Sequence, residues 1–168
     1  MKKAKREIEE CKNFWKKPKH RGLLRTKPDM KKAEEHVTKA EHDLRATEYL
    51  VKGGFSDVSI GTIFYAMYQC FLAISSKFGY ESSNQTCTIA LIEYLAEEGK
   101  IDLDEKYVQY FKYKDEEERD SVIEMREGYT YGTETKADKS KIDLFIMECR
   151  ELIEITRGII FSSDNMPN

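Results

Sequence analysis

The chain has 168 residues, 40% of them hydrophobic and 35% charged, with a net charge of −3. That length accommodates one domain with a real core, and the balance excludes both a disordered chain and a membrane-embedded class. No apolar run approaches a bilayer span, and the opening MKKAKREIEE lacks the apolar stretch of a secretory signal, so a cytoplasmic protein without a membrane partner is expected.

The charge is unevenly placed. Residues 1–32 carry 13 Lys or Arg against 4 Asp or Glu, making this part +9 and the remainder −12. A basic arm on an acidic body suits contact with nucleic acid or an acidic partner, and equally suits a solvated terminal helix. A short helix over about 2–16 is predicted to end before KPKHRGLLRTKPD. Residues 1–28 are thus read as a basic N-terminal helix and linker, 29–161 as a helical bundle and 162–168 as a loose tail.

Between Pro28 and Pro167 there is no proline, which favours long helices. Over 29–52, Ala33, Val37, Ala40, Leu44, Thr47 and Val51 recur at alternating steps of four and three, one stripe on one helix face. Gly53-Gly54 ends it. The next helix, 57–79, follows Ser56 and Asp57 as N-cap residues and is apolar nearly all round, the pattern of a central, buried helix. Gly79 ends that one, and a shorter helix over 84–98 presents Ile89, Ile92 and Leu95 before Gly99.

A long helix is predicted over about 103–130. Its stripe begins with Val108 and Phe111 and resumes at Val122 and Ile123, but it also reaches Asp115, Glu118, Arg119 and Arg126. Charges in core phase are costly to bury unpaired, so this stripe should project beyond the bundle or line a cleft or subunit interface. The last helix, 136–161, has a continuous apolar face of Ile142, Phe145, Ile146, Cys149, Leu152, Ile153 and Ile160. Short connections favour antiparallel neighbours. The expected fold is all-α, an up-and-down antiparallel bundle of four to six helices.

Several chemistries are excluded by pattern. There is no glycine-rich phosphate loop, no G-x-G-x-x-G, no H-E-x-x-H and no Glu-x-x-His pair for a di-iron centre, so no cofactor or metal is expected. His36 and His42 fall on different helix faces. Cys11, Cys70, Cys87 and Cys149 stand singly and are expected to be reduced, acting as small hydrophobes. The acidic run 115–118 reads as a solvated face. What stands out is MREGYTYGTE at 125–134, where Arg126 precedes Tyr129, Tyr131 and Gly132. A guanidinium offers a rigid fork of donors suited to phosphate or carboxylate, and tyrosines nearby can stack on a base or orient a phosphate. A structural ion pair for Arg126 is the competing reading.

Three segments, KKAEEHVTKAEHDLRATEYLVKGGFSDV, GTIFYAMYQCFLAISSKFGY and REGYTYG, resemble in order and spacing the HEPN family (higher eukaryotes and prokaryotes nucleotide-binding domains), especially its stand-alone prokaryotic branch. The resemblance spans about residues 31–160. It implies a helical bundle that dimerises, a minimal nucleotidyltransferase as partner in a toxin–antitoxin-type pair, and metal-independent RNA cleavage in members with an Arg-x4–6-His motif. Arg126 matches the family arginine. The histidine is replaced, since positions 131–133 are Tyr131, Gly132 and Thr133, and the second helix has Tyr68-Gln69 where many relatives have an aromatic-His step. A phenol, titrating near pH 10, is a poor base at neutral pH.

The expected site is therefore Arg126 and Tyr131 as reacting or ligand-orienting groups, with Tyr129 and Arg119 on the phosphate. The expected function is binding of nucleotide or RNA phosphate by a homodimer. Its alternatives are a metal-independent ribonuclease toxin with a non-histidine base and a purely structural dimerisation protein.

Overall fold

The computed structural model describes residues 3–14, 22–113 and 121–162. Among them are seven helices and two short strands: α1 (Lys3–Phe14), β1 (Leu23–Arg25), α2 (Met30–Lys52), α3 (Ser56–Lys77), β2 (Tyr80–Ser82), α4 (Gln85–Glu97), α5 (Glu105–Gln109), α6 (Val122–Tyr131) and α7 (Lys139–Phe161). The tail beyond Ser162, the acidic run 115–118, His20 and Arg119 lie outside the described residues.

α2 and α3 form an antiparallel hairpin. Asp29 caps α2 by accepting from the Lys32 backbone N–H at 2.9 Å, and Gly54, at φ 85°, turns the chain after it. The α2 stripe from Ala33 to Thr47 is buried against α3 and α7. α3 touches α2, α4, α6 and α7, as expected of a central helix. By length and apolarity it could cross a membrane, contrary to the sequence expectation that no run is long enough. Here Ile63, Ala66, Met67, Cys70, Phe71 and Ile74 are buried among the other helices. The α7 stripe is also buried as the spacing predicts, with Glu148, Thr156 and Ile159 added to it.

The all-α antiparallel bundle stands, and four features add to or correct the sequence expectations. One is an antiparallel β1–β2 pair beside the helices, Leu23 opposite Ser82 and Arg25 opposite Tyr80, which is too short to leave a periodic signature. The α3 N-cap is Phe55, without a side-chain cap, and Ser56 instead accepts at its hydroxyl from the Ala137 N–H at 3.0 Å. The long helix over 103–130 is two helices. α5 ends at Gln109, Tyr110 caps it, and Ser121 starts α6 anew by accepting from the Glu124 N–H. One stripe in the sequence thus belongs to two elements, joined where the Val122 N–H bonds the Tyr110 carbonyl at 2.9 Å.

The fourth concerns the cysteines. Cys70 and Cys149 are buried thiols, but Cys11 and Cys87 form a disulfide, their Cα atoms 5.6 Å apart across a sequence separation of 76. They meet because α1 lies along α4 and buries Ile8 and Cys11 in the common core. α1 is therefore a wall of the bundle and not a projecting arm.

Candidate functional site

α6 is held on α3 by Val122 and Ile123, both buried. One turn further on, the same helix face reaches the edge of the core, and Arg126 emerges there with its side chain 25% exposed. Its guanidinium lies over the buried Phe64 ring of α3, 4.5 Å from the centroid. Phe64 is part of an aromatic floor: Phe111 packs against Phe64 at 5.4 Å, Phe71 at 4.9 Å and Tyr68 at 6.3 Å. A cation over an aromatic face is held there without being neutralised.

Among the described residues, the polar partners of Arg126 are few. Its Nε–H is buried and makes no hydrogen bond. Its Nη2 is 3.5 Å from Glu127, a long contact, and the same Glu127 oxygen accepts from the Tyr113 hydroxyl at 2.8 Å. That bond pushes the Tyr113 phenol above its ordinary pKa. Opposite, Lys112 donates to one Glu93 oxygen at 2.6 Å, and the second Glu93 oxygen is buried without a partner.

These groups line one cleft of about 390 Å³, closed by Glu7 of α1, by Gln85, Thr86 and Ile89 of α4, and by Phe111 and Ile123. Among the described residues, two cations and three carboxylates line it, with Lys112 already committed to Glu93. Arg126 is thus the cation in it whose donors are least used.

Of the residues predicted for the site, the structure places Arg126 in the cleft and leaves the tyrosines out of it. Tyr129 is half-buried against the core, and Tyr131, at 84% exposure, points to solvent at the end of α6. Arg119 lies outside the described residues. Phe64, Lys112, Tyr113 and Glu93 were missed. Phe64 hid in an apolar helix, while Lys112-Tyr113 beside Phe111 was a legible polar step at the end of a stripe. The Gln69 side chain meets His36 of α2, Oε1 to Nδ1 at 2.6 Å. Neither of these two lines the cleft.

No protein-family model matches this chain, and no curated protein matches it.

Proposed function

We propose that this chain is a HEPN-like module that binds the phosphate of a nucleotide or of RNA at Arg126. In this reading it works as a cytoplasmic homodimer beside a minimal nucleotidyltransferase in a toxin–antitoxin-type system. The observation that carries the phosphate reading is the Arg126 guanidinium, placed over the Phe64 ring at the cleft with a buried Nε–H that makes no hydrogen bond. A phosphate arriving in plane with the fork gains paired donors that water reaches poorly, which favours it over the single long contact to Glu127. Tyr113, largely exposed on the rim, offers a ring for a base to stack on. The three segments resembling the HEPN family support the partner and the dimer. Val58 and Tyr65, exposed two turns apart on α3, supply apolar surface for a second copy.

The test is fluorescence anisotropy of a labelled short RNA with wild type and Arg126→Ala. Binding that weakens with salt and is lost in the variant supports the reading, and equal binding by both removes Arg126 from it.

One observation favours a second reading, a metal-independent ribonuclease. The partnerless Glu93 oxygen lies in the same cleft and is chemically able to take a proton from a 2′-hydroxyl while Arg126 holds the phosphate. Incubation with total RNA in chelator decides it: cleavage lost in both Glu93→Gln and Arg126→Ala supports it, and intact RNA with wild type ends it.

A further inference from the structure

We propose that the Arg126 cleft prefers a guanine nucleotide, with the Glu93 carboxylate reading the base. The inference rests on the phosphate reading above, not on the ribonuclease one, and names the ligand that the phosphate reading leaves open.

Among the described residues, five buried side-chain polar atoms make no hydrogen bond. Two of them, Arg126 Nε and Glu93 Oε2, belong to residues that line this one cleft. The other three, on Tyr107, Glu148 and Thr156, belong to residues outside it. A buried polar atom left unpaired is destabilising, so a ligand that pairs both atoms recovers that loss. One of the two is a donor and the other an acceptor. The ligand therefore needs an acceptor for the arginine and an N–H donor for the glutamate. A phosphate alone supplies only the first.

Glu93 suits the second role better than the other carboxylates of the cleft. Its Oε1 accepts from Lys112 at 2.6 Å, which balances the charge and holds the carboxylate while Oε2 keeps no partner. Glu127 is engaged by the Tyr113 hydroxyl, and Glu7 has an interaction of its own. The Glu93 side chain is 17% exposed, and the last torsion of a glutamate is broad. A small rotation thus presents Oε2 to an arriving N–H. Ile89, one turn before Glu93 on α4, and Phe111 give the same cleft apolar walls for the faces of a base.

An ionised carboxylate only accepts hydrogen bonds. Guanine presents two adjacent donors, N1–H and the N2 amine, on its Watson–Crick edge. Adenine sets its N6 amine beside the N1 lone pair, and cytosine sets its N4 amine beside the N3 lone pair. Either lone pair would face a carboxylate oxygen. Uracil has one N–H, flanked by two carbonyls. Guanine is thus the base whose edge a carboxylate pairs without repulsion. A site that bonds a ligand N–H in this way rejects an analogue lacking it, because its own polar group is then left unpaired.

The test is isothermal titration of GMP, IMP and AMP into wild type, Glu93→Gln and Arg126→Ala. IMP keeps the N1–H and lacks the N2 amine. Wild type should bind GMP about tenfold or more tightly than AMP, with IMP between them. Glu93→Gln should bring GMP to within about twofold of AMP, and Arg126→Ala should weaken all three alike. Guanosine, which has no phosphate, isolates the base contact. Equal affinity of wild type for the three nucleotides, or a GMP preference that survives Glu93→Gln, overturns the inference and leaves the phosphate reading standing. Guanosine binding that Glu93→Gln abolishes and Arg126→Ala leaves intact supports the base contact and overturns the phosphate reading. No binding of any of these ligands overturns both. A short RNA with guanosine or inosine at one position separates two sources of the same chemistry. A preference seen with GMP alone assigns the site to a free nucleotide, one seen also in the RNA assigns it to RNA, and either supports the inference. If Glu93→Gln fails to fold, the wild-type order of GMP, IMP and AMP carries the comparison.

Discussion

The Arg126 guanidinium rests on the face of Phe64, 4.5 Å from the ring centroid, so a cation of α6 is oriented by a core residue of α3. Such contacts contribute about 0.5–1 kcal/mol at exposed sites and more when desolvated. Phe64→Leu removes the aromatic face and keeps most of the volume. It should weaken AMP binding about two- to fivefold, the equivalent of that energy. The repacking should cost less than about 1.5 kcal/mol of stability. Titration of folded variant against wild type checks this, and unchanged affinity would separate Phe64 from the site.

Lys106 of α5 pairs with Glu148 of α7 at 2.9 Å and with Glu151 at 3.3 Å. The Glu148 bond raises the Lys106 pKa above its ordinary value, while burial raises those of Tyr107 and Tyr110. All three folded values lie above the unfolded ones. Their contribution is therefore complete below about pH 10 and is lost as the pH climbs through the folded values. Melting temperature should fall along this alkaline limb. Lys106→Met should lower stability already at pH 7, by about 1–3 kcal/mol for the carboxylate left buried, and flatten the limb above pH 10. A variant that melts like wild type at both ends would show that α5 is not held this way.

Gly79 closes α3 at φ 71°, and a Cβ there would stand 2.7 Å from the Thr26 carbonyl oxygen. Its own carbonyl accepts from the Thr26 N–H at 2.8 Å, which positions β1 beside β2. Gly79→Ala should cost at least about 1–2 kcal/mol from backbone handedness alone. Gly158, inside α7 with nothing near its absent Cβ, is the control: Gly158→Ala should stabilise by up to about 1 kcal/mol. Denaturant melts of the two variants should move in opposite directions.

Helix positions were legible where one stripe served one partner. Ala33 to Thr47 in α2 and Ile142 to Ile160 in α7 have a clean period because each faces a single core. The reading failed where two short elements kept phase by accident. Phe111 and Val122 look like one helix because both are buried in the same cluster, although α5 ends at Gln109 and α6 begins only at Val122. Arg126 was legible because a charge in core phase has to be explained, and the structure gives it a cleft. Its setting was not legible. Phe64, Glu93 and Lys112 come from three other stretches of chain, and local pattern carries no information on such distant pairings. The tyrosines misled for the opposite reason: proximity to Arg126 in sequence placed Tyr131 on the last residue of α6, on the solvent side. Cys11 and Cys87, 76 residues apart, left no spacing signature at all.

Isothermal titration of AMP into wild type, Arg126→Lys and Arg126→Ala tests the central claim most directly. Wild type should bind with one site per chain. Arg126→Lys, which keeps the charge and loses the fork, should bind more weakly, and Arg126→Ala should lose about 1.5–3 kcal/mol, a factor of ten or more, with its melting temperature little changed. Equal affinity in all three proteins would contradict the claim and leave Arg126 a structural cation on Phe64.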